Sequence, residues 1–345
     1  MKKLCAAIMA CFIFSIMLTG CGSGNVGGAP VAPIEDVVLA RAGNEVIMLS
    51  EYAYFFYATR NDVEQAALMQ GYAPGDIAQI WQEEQDGITM EEMLREHALM
   101  VSEEYATLYV LARRAGAALS AEQIAEAEEA VQNVLDGISL DPNEAREAFI
   151  QNFGISPEQM LEIYQKLDLI AQYIEDLRES VVVTEDQSRA HFSENSERLE
   201  MVTVRHILIS VDDDAQVSES EELALSLLAR IQQGEDIGVL AAEYSTDPGS
   251  ADNNGEYTFP RGVMVPEFTE WSFSAGIGEQ GIVRTDFGFH VMQKMASLGF
   301  EDVRGQIEHE LVEAEVGEIL MIALEGAQLD WVVDETVRDT IRIEP

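Results

Sequence analysis

Met201-Val202-Thr203-Val204-Arg205-His206-Ile207-Leu208-Ile209 is rich in β-branched side chains and reads as a buried strand. Ser218 to Gln233 follows, with Leu223, Leu227, Leu228 and Ile231 on one face of a helix, and Asp236 to Tyr244 gives a second helix. A Gly/Asn/Asp-rich loop then leads through Tyr257-Thr258-Phe259 to Gly262. A short helix comes next around Pro266 to Phe273, and a final strand lies near Phe289 to Lys294. The order over residues 199–297 is β-α-α-β-α-β-β. This predicts an α+β chain with a four-stranded sheet and helices in this part.

Upstream, residues 35–198 read differently. Val37-Val38-Leu39-Ala40 and Val46-Ile47-Met48 flank a Gly43-Asn44 turn, so a short extended entry precedes the first helix. Helix starts then recur as capping boxes: Thr89 with Glu92, Ser120 with Gln123, Ser156 with Gln159, Thr184 with Gln187. In each, a hydroxyl and a side chain three residues on satisfy N–H groups that the first turn leaves free. Met160, Ile163, Tyr164, Leu167, Ile170, Ala171 and Ile174 recur at helical spacing, with carboxylates on the solvated side. Tyr52, Tyr54, Phe55, Phe56 and Tyr57 form an aromatic cluster that core packing explains better than a sticky surface for unfolded chains. Downstream, Phe300, Val303, Ile307, Leu311 and Val312 restart helical periodicity, and Leu329, Trp331 and Val332-Val333 suggest a short closing element.

The chemistry lies in 199–297. Arg205-His206-Ile207-Leu208, Tyr244-Ser245-Thr246-Asp247, Phe259-Pro260-Arg261-Gly262-Val263-Met264-Val265-Pro266-Glu267-Phe268 and Thr285-Asp286-Phe287-Gly288-Phe289-His290-Val291 stand in that order. Taken singly they are bland: a strand histidine is usually a satisfied core residue, Asp247-Pro248-Gly249 is a turn sequence, and Met264 and Phe268 are core-like four residues apart. Taken together, the four blocks resemble those of parvulin-type peptidyl-prolyl isomerases. The resemblance implies a catalytic set of His206, Asp247 and His290, the histidines paired beneath the catalytic floor. Tyr257, Met264 and Phe268 would line the pocket for the proline ring, with Phe259 supporting it and Phe287 counted among the substrate-binding residues. Two departures stand out. Asn254-Gly255-Glu256-Tyr257-Thr258-Phe259 replaces a Gly-Gly-x-Leu-Gly-x-Phe block, so a wall Leu becomes Tyr, and Phe287 occupies a position that is often small or polar.

Such a reaction needs no cofactor. Rotation about a prolyl bond is slowed by a barrier of about 18–20 kcal/mol because amide resonance must be lost. The twisted amide is less dipolar than the planar one, so an apolar, water-poor pocket favours the transition state. No Gly-rich phosphate loop, zinc-ligand spacing or Gly-x-Ser-x-Gly element occurs in the sequence, and His97, His191 and His309 need no role.

The N-terminus places the chain. Lys2 and Lys3 precede an uncharged apolar run from Leu4 to Leu18, the layout of a secretory signal. Leu18-Thr19-Gly20-Cys21 resembles the lipobox of bacterial lipoproteins, which implies a signal peptide over 1–20, lipidation of Cys21 and attachment to the outer face of the cell membrane. An ordinary signal peptide or a short membrane anchor is the alternative. Residues 21–34, dominated by Gly, Ser and Pro, read as a tether. Cys5, Cys11 and Cys21 are the three cysteines, so a chain cleaved before Cys21 keeps a single thiol and no disulfide. Twenty Lys+Arg stand against 63 Asp+Glu, a net charge of -43, with no basic cluster. That excludes a nucleic-acid partner of the usual kind.

A helical part over 35–198, a parvulin-like part over 199–297 and a segment over 298–345 that completes the helical part resemble extracytoplasmic foldases of the PrsA and SurA type. The implied partners are unfolded or partly folded secreted polypeptides containing proline, with the membrane engaged through the N-terminal lipid. A binding chaperone with a degenerate parvulin domain is the alternative, motivated by Tyr257 and Phe287.

Overall fold

The computed structural model describes residues 34–85, 87–139, 141–211 and 213–343. The expected signal peptide, the lipidated Cys21 and nearly all of the tether lie outside the described residues. In chain order the elements are β1 (Val38–Ala42), β2 (Glu45–Met48), α1 (Leu49–Met69), α2 (Ile77–Ile80), β3 (Glu84–Gln85), β4 (Ile88–Thr89), α3 (Met90–Ala115), α4 (Ala121–Ile138), α5 (Pro142–Phe153) and α6 (Pro157–Ser180). These are followed by α7 (Glu185–Glu194), α8 (Ser196–Leu199), β5 (Met201–Ser210), α9 (Val217–Gln232), α10 (Ile237–Tyr244), β6 (Glu256–Pro260), α11 (Pro266–Ser274), β7 (Gln280–Thr285), β8 (Gly288–Leu298), α12 (Phe300–Gly326), β9 (Val332–Val333) and α13 (Glu335–Arg338). No helix among the described residues is long and apolar enough to cross a membrane.

The chain divides into two compact units, one running to Val181 and resuming at Glu315, the other spanning Val182–Ala314. All four capping boxes close as the sequence spacing requires, at the start of α7 in the second unit and of α3, α4 and α6 in the first. Two further starts use other devices. At α1 the Glu51 carboxylate takes the Met48 N–H at 2.7 Å, and at α5 Asp141 caps a helix whose first residue is Pro142. The aromatic cluster is core: Tyr52, Phe55 and Phe56 are buried, and Phe55 meets Tyr105 of α3 edge-on at 5.1 Å. The C-terminal residues close this unit. Strand β9 pairs antiparallel with β1, and Trp331 donates its indole N–H to Thr107 at 3.2 Å.

The boundaries differ from the expected 198/199 and 297/298. Leu199, Phe300, Val303 and Ile307 form one buried cluster with Phe192, Met201 and Leu311 against it. Arg189 pairs with Glu301, and Glu310 receives Arg198 and His191. The apolar stripe of α12 is therefore covered by α7 and α8 of the second unit. Only from Glu315 onward does the C-terminal segment join the helical unit, where Leu320 packs near Ala112 and Leu169.

The second unit is an antiparallel sheet of order β6-β5-β8-β7. Successive strand residues point to opposite faces, and this alternation sorts the central strands. Ile207, Ile209, Phe289 and Val291 face α9 and α10, packing on Leu227, Ile231 and Leu240. Val202, Val204, Met292 and Val283 face α11 and pack on Phe268. Strand β6 pairs only with residues 201–205 of β5. Beyond it, the edge of β5 is capped by a loop: the Leu208 N–H donates to Ser245 Oγ at 3.1 Å, and the Thr246 N–H donates to the Leu208 carbonyl at 2.9 Å.

Gly255 ties that loop to the sheet. It has φ +72° and accepts the His206 N–H at 2.8 Å, and a Cβ on it would sit 2.2 Å from the His206 carbonyl oxygen. Gly255→Ala should therefore destabilise the second unit by more than about 2 kcal/mol, read as a lower urea midpoint. A midpoint within experimental error of the parent would contradict this account of the strand edge.

Candidate active site

His206 on β5 stands opposite Met292, and His290 on β8 stands opposite Leu208, so the two histidines are diagonal neighbours on the face covered by α11. Both are buried, their Nδ1 atoms 3.1 Å apart and their rings tilted by only 19°. Phe268 of α11 meets both rings nearly at right angles, with centroids 5.2 and 5.3 Å away. The sheet register brings the pair together and the helix seals it from one side.

The loop between α10 and β6 adds the third group. Asp247 Oδ2 lies 3.1 Å from His206 Nε2 and accepts from Ser250 Oγ at 2.5 Å and from Tyr257 Oη at 3.0 Å. On the far side, Thr285 Oγ1 lies 2.8 Å from His290 Nε2 and accepts the Phe287 N–H at 3.2 Å. One proton arrangement satisfies every member. The Thr285 hydroxyl donates to His290 Nε2, His290 Nδ1–H donates to His206 Nδ1, and His206 Nε2–H donates to the Asp247 carboxylate. Both imidazoles are then neutral, and the chain of donors ends on the one anion.

The electrostatics agree. Burial lowers the pKa of His206, partly opposed by Asp247, and lowers that of His290 to about 4, with His206 adding to the effect. Burial alone would raise the Asp247 carboxyl. Hydrogen bonds from Ser250, the Gly249 N–H and Tyr257, with His206, outweigh it and hold Asp247 below its ordinary value. The Tyr257 hydroxyl is pushed up by burial and then by the neighbouring carboxylate.

The structure brings His206, Asp247 and His290 into direct contact. It distributes the expected pocket residues more unevenly. Tyr257 and Met264 are half-buried against the apolar cluster, where a client could reach them. Phe259 and Phe268 are 2% and 3% exposed, so they back the pocket and offer a client almost no surface. Phe259 therefore stands in the supporting place expected of it, under Phe268 with ring centroids 5.7 Å apart. Phe287 is 60% exposed in the β7–β8 turn and stands outside that cluster. Its N–H is fixed on Thr285 Oγ1 at 3.2 Å, which anchors the turn. Ser250, Thr285 and Met292 escaped sequence reasoning, although Ser250 is buried against both Asp247 and His206. The Asp247-x-x-Ser250 spacing and the Thr285 that opens the last block were the available signals. Among the described residues, no group of three or more His, Cys, Asp or Glu side chains could hold a metal ion.

Residues 190–296 match the family described as the PPIC-type PPIASE domain. The second unit is therefore a parvulin-type peptidyl-prolyl cis-trans isomerase domain, and the chain that carries it is PrsA/SurA-like. Over 93% of its length it is 26% identical to foldase protein PrsA of Caldanaerobacter subterraneus, covering 92% of that protein. It is 35% identical to foldase protein PrsA of Halalkalibacterium halodurans over 45% of each chain. It is also 42% identical to chaperone SurA of Pseudomonas aeruginosa over 27% of this chain and 22% of that one. Apart from the Caldanaerobacter protein, these alignments span about half of the relative or less. A crystal structure of PrsA from Bacillus anthracis aligns over 68% of this chain and 100% of its own, at 19% identity and a TM-score of 0.25.

The buried pair predicts a local pH dependence. An unfolded histidine takes its proton near pH 6.5, whereas folded His290 resists until about pH 4. Between those values the unfolded chain binds more protons, so the stabilisation is complete above about pH 6.5 and is lost as pH falls toward 4. Half-buried Glu104 and Asp168 in the helical unit have pKa values raised by desolvation and act in the opposite sense, so the measurement must be local. The His290 imidazole NMR signals should not titrate above pH 5, and hydrogen exchange of β5 and β8 amides should accelerate between pH 6 and 4.5. A His290 titration midpoint near 6.5 would contradict the neutral pair.

Proposed function

We propose that this chain isomerises prolyl bonds in secreted polypeptides at the outer face of the cell membrane, using His206, Asp247 and His290 as its catalytic set and Tyr257 and Met264 as the accessible pocket wall. The observation that carries this reading is the neutral His206–His290 pair ending on an ionised, partly exposed Asp247 beside an apolar cluster.

The reaction needs no bond to be broken. In the planar amide, resonance places negative charge on the carbonyl oxygen, and twisting the C–N bond withdraws it. A carboxylate fixed beside that oxygen raises the energy of the planar form more than that of the twisted one. An apolar wall acts in the same direction by denying water to the more dipolar ground state. Each 1.36 kcal/mol of difference is about tenfold in rate. The histidines donate no proton to the peptide. They hold Asp247 in place, and their own neutrality leaves its charge uncancelled.

In this reading the helical unit, residues 34–181 with 315–343, holds client segments while the isomerase unit acts. Cys21 would carry the lipid that keeps both at the membrane. Met264→Ala should lower kcat/KM about tenfold in a protease-coupled assay on a proline-limited peptide, with an unchanged circular dichroism spectrum. Full activity in a folded variant would sink the pocket assignment, and absence of activity in the parent chain would favour the non-catalytic chaperone. Cys21→Ser should move the protein out of the membrane fraction. Retention of a correctly processed variant there would refute lipid anchoring.

A further inference from the structure

Tyr257 stands at the position where the resemblance expects an apolar Leu, and its hydroxyl gives it a chemistry that Leu lacks. The oxygen lies 3.0 Å from Asp247 Oδ2, and the ring lies 5.5 Å from the His206 ring. Asp247 Oδ2 thereby meets three donors, from His206, Ser250 and Tyr257, while Oδ1 accepts a single longer bond from the Gly249 N–H at 3.3 Å. These donors come from three places: β5, the loop that carries Asp247, and β6. Behind His206 lies His290 on β8, so the titratable groups around the carboxylate are the two histidines and Tyr257 itself.

We propose that Tyr257 is a positioning residue for isomerisation: its hydroxyl helps to saturate Oδ2 of Asp247 and so leaves Oδ1 as the oxygen that meets the client amide. This rests on the isomerase reading above and deepens it. An Asp247 without the hydroxyl keeps Ser250 and His206, both on the inner side of the loop, and loses the one donor that reaches it from the edge strand β6. The carboxylate then gains freedom to rotate about its Cβ–Cγ bond, and its charge is held less firmly.

The loop itself offers a second lever. A Cβ added to Gly249 would fall 2.1 Å from the Tyr257 hydroxyl oxygen, so Gly249→Ala must drive that oxygen away while leaving tyrosine in the sequence. Tyr257→Phe removes the hydroxyl and keeps the ring as a pocket wall. Tyr257→Leu restores the apolar wall of the family pattern.

The test is kcat/KM for a proline-limited peptide as a function of pH, with the 13C carboxyl signal of Asp247 followed by NMR in the same full-length proteins. Loss of a hydrogen bond to a charged group should cost about tenfold in kcat/KM. Tyr257→Phe and Gly249→Ala should both show this loss, with KM little changed, and in both the Asp247 titration and the acid limb of the rate profile should move to higher pH. A residue that is only a wall would move neither in the Phe variant. Parent-like kcat/KM with an unshifted Asp247 signal in Tyr257→Phe overturns the proposal, as does a Tyr257→Leu variant faster than the parent. A parent chain with no isomerase activity overturns the isomerase reading instead. The Asp247 titration then decides alone whether Tyr257 holds the carboxylate, and an unshifted signal rejects that hold.

Discussion

The Nδ1–Nδ1 hydrogen bond between His206 and His290 is the constraint on which the isomerase unit turns. It can form only if one ring donates and the other accepts, so protonating both rings would break it. Burial enforces neutrality by making charge costly, and the sheet enforces proximity by fixing β5 against β8 over ten paired positions. With the pair neutral, the only direction left for the donors to run is from Thr285 through both rings to Asp247. The charge of the site is therefore concentrated on one group, whose rotamer is held by Ser250 and Tyr257.

Packing around the pair follows from the same requirement. Phe268 lies edge-on to both rings and is itself backed by Phe259, so the wall that keeps water from the histidines is two aromatic layers deep. The opposite face of the sheet is closed by α9 and α10, while Asp247, Tyr257 and Met264 on the histidine face remain partly exposed. Glycines permit the closest approaches. Gly255 brings the loop backbone onto His206, and Gly288 lets the β7–β8 turn pass within van der Waals range of Ile209.

Much of this was legible in the residues. The β-branched run at 201–209 became β5, the four hydroxyl-acid or hydroxyl-amide spacings became helix starts, and the order of elements in the second unit was that of the sequence pattern. Local rules worked there because strand and helix periodicity report burial, and capping depends on residues three apart. The Asp247, His206 and His290 blocks could be recognised, yet their contact spans 84 residues of chain between the histidines. Ser250 and Thr285 were missed because a serine or threonine in a turn has no periodicity, and its partners are set by strands that meet only after folding.

Sequence by itself determined the acidic character of the chain, four of its helix starts and the strand–helix order over 199–297, since these depend on composition, spacing and neighbours in the chain. Tertiary structure alone decided which of the aromatic residues a client can reach, and that α12 changes allegiance at Glu315, its first half covered by α7 and α8 and its second half packed in the helical unit. It also decided that Tyr257 reaches Asp247. The physical reason is common to all three: exposure and hydrogen bonding across elements depend on distances between segments remote in sequence. Those distances are fixed by the register of β5 against β8 and by the packing of helices on the sheet, which no local pattern encodes.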